Sequence, residues 1–255
     1  MDRRKILKLT GTAVAGTSVL GIDAFASDKS SLDKEPKGKG KKVLVIGAHP
    51  DDPESCCGGT MLKLKNAGCD VVAVYMTKGE AGVPNLSHAE SSAIRVKEAK
   101  AACKVLGARA IFLTQIDGSS EVNKERYKEM LDIIQEEKPD IVFTHWPIDS
   151  HRDHRICSIL TYDAWRQSKY SFELYYFEAM TGIQSQGFAP TDWVDISEVS
   201  EKKKEALYCH KCQNPDEWYD ESHGRMELFR GLEHRCGRAE AFFHLRRTGN
   251  DIETL

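Results

Sequence analysis

An α/β architecture, with a mostly parallel sheet and helices on both faces, is predicted by three observations. Short β-branched apolar runs alternate with longer helical stretches along the chain. Glycine or proline punctuates the joins, as at Ala67-Gly68, Gly107 and Pro139. The two densest groups of His and Asp fall directly behind apolar runs, and in an open parallel sheet the carboxyl ends of the strands share one ligand-binding edge.

The elements follow in order. Val43-Leu44-Val45-Ile46 has the length and branching of a buried strand. A helix is expected from Cys57 to Asn66, closing at Ala67-Gly68, and Asp70 to Tyr75 is the next strand. Ala89 to Leu106 is strongly helical and stops at Gly107. Ala110 to Leu113 reads as a third strand, Glu121 to Glu137 as a helix, and Ile141 to Thr144 as a fourth strand started by Pro139. A helix from His154 to Gln167 and a strand from Leu174 to Phe177 extend the alternation. Helices near Glu201–His210, Arg225–Arg230 and Arg238–Leu245 complete the domain.

The first strand runs into Ala48-His49-Pro50-Asp51-Asp52-Pro53-Glu54. Three carboxylates packed around one His repel each other unless a cation is present. His49 and Asp52 offer nitrogen and oxygen to a borderline metal such as zinc, with Asp51 left free as a base. The fourth strand runs into His151-Arg152-Asp153-His154, whose histidines at i and i+3 share one side of a starting helix. Parallel topology brings the two loops together, so they read as halves of one metal site. Taken singly, the first loop could be an ordinary Asp/Pro turn and the second a solvated helix start. Dinucleotide binding is disfavoured, because G-x-G-x-x-G is missing and carboxylates stand where phosphates would sit.

At 255 residues the chain suits one sizeable α/β domain with appendages, and a formal charge of −3 gives it no electrostatic attraction to nucleic acid. Residues 1–26 read as an export signal, with a basic start (Arg3-Arg4-Lys5), a weakly apolar run from Leu9 to Ile22, and Ala24-Phe25-Ala26 before a cleavage site. The paired arginines resemble a twin-arginine signal, which implies a periplasmic or other extracytoplasmic location. The apolar run is too short and polar for a stable membrane span. Residues 27–42 form a polar Lys-rich linker, and residues 43–255 the folded domain. Most of the eight cysteines are expected as buried free thiols, with Cys236 to Cys209 or Cys212 as the bridge to look for.

With these residues in view, the chain resembles the PIG-L/LmbE-like family of zinc-dependent N-acetylglucosamine-conjugate deacetylases. VLVIGAHPDDPESCCGGT is similar to the family's opening motif, and MTKGEAG, RVKEAKAACKVLG, HRDH, KKEALYCHKCQ and AEAF follow in the family's order. The resemblance runs from Lys42 to about Leu245 and implies the Rossmann-like LmbE fold. It implies one zinc on His49, Asp52 and His154, with iron as another metal suited to two histidines and a carboxylate. It implies Asp51 as general base to a zinc-activated water, and His151 polarising the oxyanion or protonating the leaving amine. Asp153 is expected to orient one of the histidines. Arg95 is expected to face substrate, or else to pair with Glu98 on the helix surface. The implied substrate is an N-acetylglucosamine-type sugar or glycoconjugate; the rivals are another acyl amide, or sugar or metal binding without turnover. Pro53 and the segment His145-Trp146-Pro147-Ile148-Asp149-Ser150, which lacks a Tyr, depart from the family pattern.

Overall fold

The computed structural model describes residues 40–247. The proposed export signal, its cleavage site and all but the last three linker residues lie outside the described residues.

Seven strands form one sheet in the order β3-β2-β1-β4-β5-β7-β6. They are β1 (Lys42–Gly47), β2 (Asp70–Tyr75), β3 (Arg109–Phe112), β4 (Ile141–His145), β5 (Glu173–Phe177), β6 (Asp192–Asp195) and β7 (Ala239–Leu245). The first five run parallel, whereas β7 lies antiparallel to both β5 and β6. Helices α1 (Asp52–Asn66), α2 (His88–Leu106), α3 (Lys124–Glu137) and α4 (Arg152–Gln167) form the parallel crossovers. After β6 come α5 (Ser200–Leu207), a 3₁₀ turn (Lys211–Gln213), α6 (Pro215–Trp218) and α7 (His223–His234). Alternate residues of β1 feed two cores. Val43 and Val45 pack with residues of α1 and α2, while Leu44 and Ile46 pack with residues of α3 and α4. This is the predicted mostly parallel α/β sheet with helices on both faces.

Local chemistry explains the clearer boundaries. Ser87 and Glu90 form a reciprocal capping box at the start of α2, and Gly107 ends it with a left-handed φ of 69°. Helix α1 begins at Asp52, five residues before the expected Cys57. Pro53 suits a first turn, where its missing N–H costs no bond, and Asp52 and Glu54 complement the helix dipole. The expected helix Arg238–Leu245 is instead strand β7. Its register against β5 pairs Phe242 with Phe177 and Phe243 with Tyr176, and this long-range pairing overrides local helix preference. No disulfide links Cys236 to Cys209 or Cys212. Cys236 Sγ instead donates to Arg238 O at 3.3 Å, and Cys209 Sγ to Glu205 O at 3.6 Å.

A buried ionic knot joins α1, α5, α7 and β7. Lys203 Nζ lies 2.8 Å from Glu227 Oε1 and 2.7 Å from Glu240 Oε1. The Glu240 carboxylate also accepts from Gly59 N at 2.9 Å and Thr60 N at 2.7 Å, inside α1. A Cβ on Gly59 would lie 2.6 Å from Ile196 Cγ2, so only glycine permits this approach. The Gly58-Gly59-Thr60 motif therefore seats the helix that carries Asp52 and follows directly on Asp51.

Candidate active site

Strand β1 lies between β2 and β4, so the connections leaving β1 and β4 diverge and open a crevice at the carboxyl edge. The crevice has a volume of about 500 Å³ and is lined by His49, Asp51, Asp52, Arg95, His151 and His154, among others. Both sequence loops thus meet in one cavity, with α1 starting in the first and α4 in the second.

His49 Nε2 lies 3.1 Å from Asp117 Oδ1 and 3.2 Å from Asp153 Oδ2. Its other nitrogen, Nδ1, lies 3.3 Å from Asp52 Oδ2. His154 repeats the arrangement: Nδ1 is 3.2 Å from Asp149 Oδ1 and Nε2 is 3.4 Å from Asp52 Oδ1. Each ring therefore has a carboxylate behind one nitrogen, and its other nitrogen converges on Asp52. Carboxylates commonly orient metal-binding imidazoles in this way. His151 caps α4, its Nδ1 accepting from Asp153 N at 3.3 Å, which leaves Nε2 as the ring's free nitrogen.

The buried charges shape these groups. Burial alone would lower the His154 pKa, but Asp52 and Asp149 outweigh it and hold it at about 9. Burial and the neighbouring His154 depress His145 to about 4. Burial opposes ionisation of Asp153, yet His49 and the Gly118 N–H bring its pKa down to about 2. Burial lowers the His151 pKa, with His49 and His154 adding to the effect.

Asp51 occupies a strained backbone position, with φ 121° and no side-chain cap to α1. Such a conformation in a residue other than glycine costs about 1–3 kcal/mol and recurs at functional sites. Burial pushes its carboxyl upward, against the Arg95 charge. Arg95 is buried, lines the crevice, and places Nη2 2.8 Å from Asp51 Oδ2 with a second bond to Pro50 O. The surface pair with Glu98 does not form; Glu98 accepts from Cys212 N instead. A Cβ on Gly79 or Gly82 would lie 2.5 Å or 2.0 Å from Arg95 atoms, which accounts for the glycines of MTKGEAG.

The donor set fits a zinc ion. His49, His151 and His154 form one group of close ligand atoms, and Asp52, His145 and His154 form another. His145 Nε2 also accepts from Ala48 N at 3.1 Å, which occupies its lone pair and suits a structural role. Asp153 Oδ1 is buried without a hydrogen-bond partner, and five carboxylates (51, 52, 117, 149 and 153) crowd four imidazoles in one cluster. A divalent cation would relieve that repulsion.

Asp117 and Asp149 join the site although the sequence motifs do not mark them. Asp117 was legible on the same grounds as the other loops, since it lies just past β3 on the shared edge. Trp146 packs against Tyr176, Phe188 and Phe243, so it belongs to the core. Glu54 is fully buried, accepting from Tyr75 Oη at 2.5 Å and lying 3.3 Å from His210 Nε2. Gln213 reaches the cavity.

The model of the PIG-L family, described as GlcNAc-PI de-N-acetylase, matches residues 44–165. A diacetylchitobiose deacetylase of Thermococcus kodakarensis is 33% identical over 221 residues, 78% of this chain and 80% of that protein. An N,N'-diacetylchitobiose deacetylase from Pyrococcus horikoshii, solved with an inhibitor, superimposes with a TM-score of 0.74 at 26% identity, covering 87% of this chain and 91% of the other. The 4-carboxy-2-hydroxymuconate hydratase GalB of Pseudomonas putida gives a TM-score of 0.71 at 23% identity, covering 83% of this chain and 99% of that one. The fold therefore hosts more than one chemistry, and the site must carry the functional argument.

Proposed function

Because the chain belongs to the PIG-L family, we propose that it is a metal-dependent amide hydrolase that removes the N-acetyl group from an N-acetylglucosamine-type sugar or glycoconjugate. The observation that carries this reading is the convergence of His49 Nδ1 and His154 Nε2 on Asp52, beside the strained Asp51. Zinc on His49, Asp52 and His154 would supply a Lewis acid to polarise the acetamide carbonyl and lower the pKa of water, and iron suits the same donors.

Asp51 accepts the proton of the attacking water, and Arg95 fixes the orientation of its carboxylate. With Nδ1 accepting from the Asp153 N–H, the His151 ring carries its proton on Nε2. From there it donates a hydrogen bond to the developing oxyanion, while the proton that Asp51 takes from water passes to the leaving amine. Asp117 and Asp153 hold His49, and Asp149 holds His154. Residues 1–26 direct export, and residues 43–255 act outside the cytoplasm as the mature domain.

Incubating the mature protein with methyl N-acetylglucosaminide and N,N'-diacetylchitobiose is expected to release acetate and free amine in equal amounts. Zinc-loaded protein that releases no acetate from any N-acetyl sugar would exclude this reading, leaving another acyl amide or binding alone.

A further inference from the structure

The lining of the main cavity also includes Met180 and Trp218. Met180 also lines a second groove, of about 240 Å³, together with Ile183, Met226, Phe229 and Arg225. The two hollows therefore adjoin at this one side chain. Ile183 is 68% exposed and Phe229 51%, although burial would stabilise both.

The loop bearing Met180 and Ile183 is tied to the loop that presents His151. Ser150 N donates to Gln184 O, and Gln186 N donates to Ile148 O, each at 2.9 Å. Ser185 Oγ donates to Asp149 Oδ2 at 3.1 Å and accepts from Ala179 N at 2.8 Å. Met180 takes a left-handed φ of 48°, and its carbonyl accepts from Ile183 N and Gln184 N. The Met180–Ile183 side of the groove is thereby joined to the loop that presents His151.

Resting on the proposed deacetylase reading, we infer that this groove receives an apolar aglycone of the amino sugar, so that the substrate class is an alkyl or aryl N-acetylglucosaminide. A sugar ring in the main cavity leaves its aglycone next to Met180, and a chain continuing past Met180 covers Ile183 and Phe229. Thr181, Glu221 and Ser222 also line the groove, and its apolar contact is supplied by Met180, Ile183, Met226 and Phe229. Arg225 is engaged by Glu221 at the rim and supplies no free cation for an anionic aglycone.

The test compares kcat/KM for methyl, octyl and 4-nitrophenyl N-acetylglucosaminides and for N,N'-diacetylchitobiose. Octyl and nitrophenyl glycosides are expected to exceed the methyl glycoside by tenfold or more, mainly through KM. In the Ile183→Ser/Phe229→Ser double variant that advantage should shrink at least fivefold, with the methyl glycoside changed less than twofold. Equal kcat/KM across the glycosides, or preference for the disaccharide, would overturn the inference while leaving the deacetylase reading intact. So would faster hydrolysis of N-octanoylglucosamine than of the octyl glycoside, since the apolar chain would then be the acyl group. A wild-type dimer that the double variant dissolves, with glycoside preference unchanged, would assign the patch to self-association and also overturn it. Absence of turnover on every glycoside would instead remove the deacetylase reading itself.

Discussion

Asp51→Asn is expected to lower kcat by roughly 10²–10⁴ with zinc content and folding unchanged, the loss typical of removing a positioned base. The substitution keeps size and one acceptor oxygen, so Arg95 retains a hydrogen-bond partner at the distance it now holds to Asp51 Oδ2. What disappears is the capacity to take a proton. Asp51 makes no contact with His49 or His154 comparable to those of Asp52, so metal affinity should not follow kcat downward. Metal analysis of the purified variant beside its acetate-release rate checks both halves. Zinc loss in Asp51→Asn would show that the roles of Asp51 and Asp52 are reversed.

Lys203→Met is expected to destabilise the fold by about 3–5 kcal/mol, because it leaves two buried carboxylates facing each other without their cation. Glu227 would keep only the Tyr219 hydroxyl at 2.7 Å and Arg238 at 3.1 Å, and Glu240 only the α1 amides. The same pairing predicts a pH window. Burial opposes the charged form of both groups, but Lys203 holds Glu227 below its usual range, and the two glutamates hold Lys203 well above its own. The Glu227 contribution is therefore complete above the unfolded carboxylate pKa and lost as pH falls through the lower, folded value. The Lys203 contribution is complete below the unfolded lysine pKa and lost as pH rises through the higher, folded value. Urea midpoints measured from pH 3 to pH 10 should show a plateau between these limits in the parent. The variant should have a lower midpoint throughout and a weaker acid-side dependence. An unchanged midpoint at pH 7 would exclude the ionic knot as a stabilising element.

The parallel half of the fold was legible because its signals are local. Val43–Ile46, Asp70–Tyr75 and Ile141–Thr144 are apolar on both faces, and Ser87, Glu90 and Gly107 mark a helix by capping chemistry alone. The antiparallel edge was not legible. Ala239–Leu245 becomes a strand only because β5 offers a partner far away in sequence, and Asp192–Asp195 joins only because β7 is already there. The two metal-type loops could be read because both sit behind apolar strands. The carboxylates behind the histidines were harder, since Asp117 and Asp149 gain meaning only from their distances to His49 and His154. Lys203, Glu240 and Gly59 were visible as motifs without a reason; the reason is a contact spanning four elements.

His49, Asp52 and His154 are proposed to hold one catalytic metal ion. The most direct test titrates metal-free mature protein with zinc while recording acetate release from an N-acetylglucosaminide. The predicted result is activity that rises with zinc and saturates at one equivalent per chain, with no such rise in His154→Ala. Full activity in the metal-free protein, or an identical titration in His154→Ala, would contradict the account.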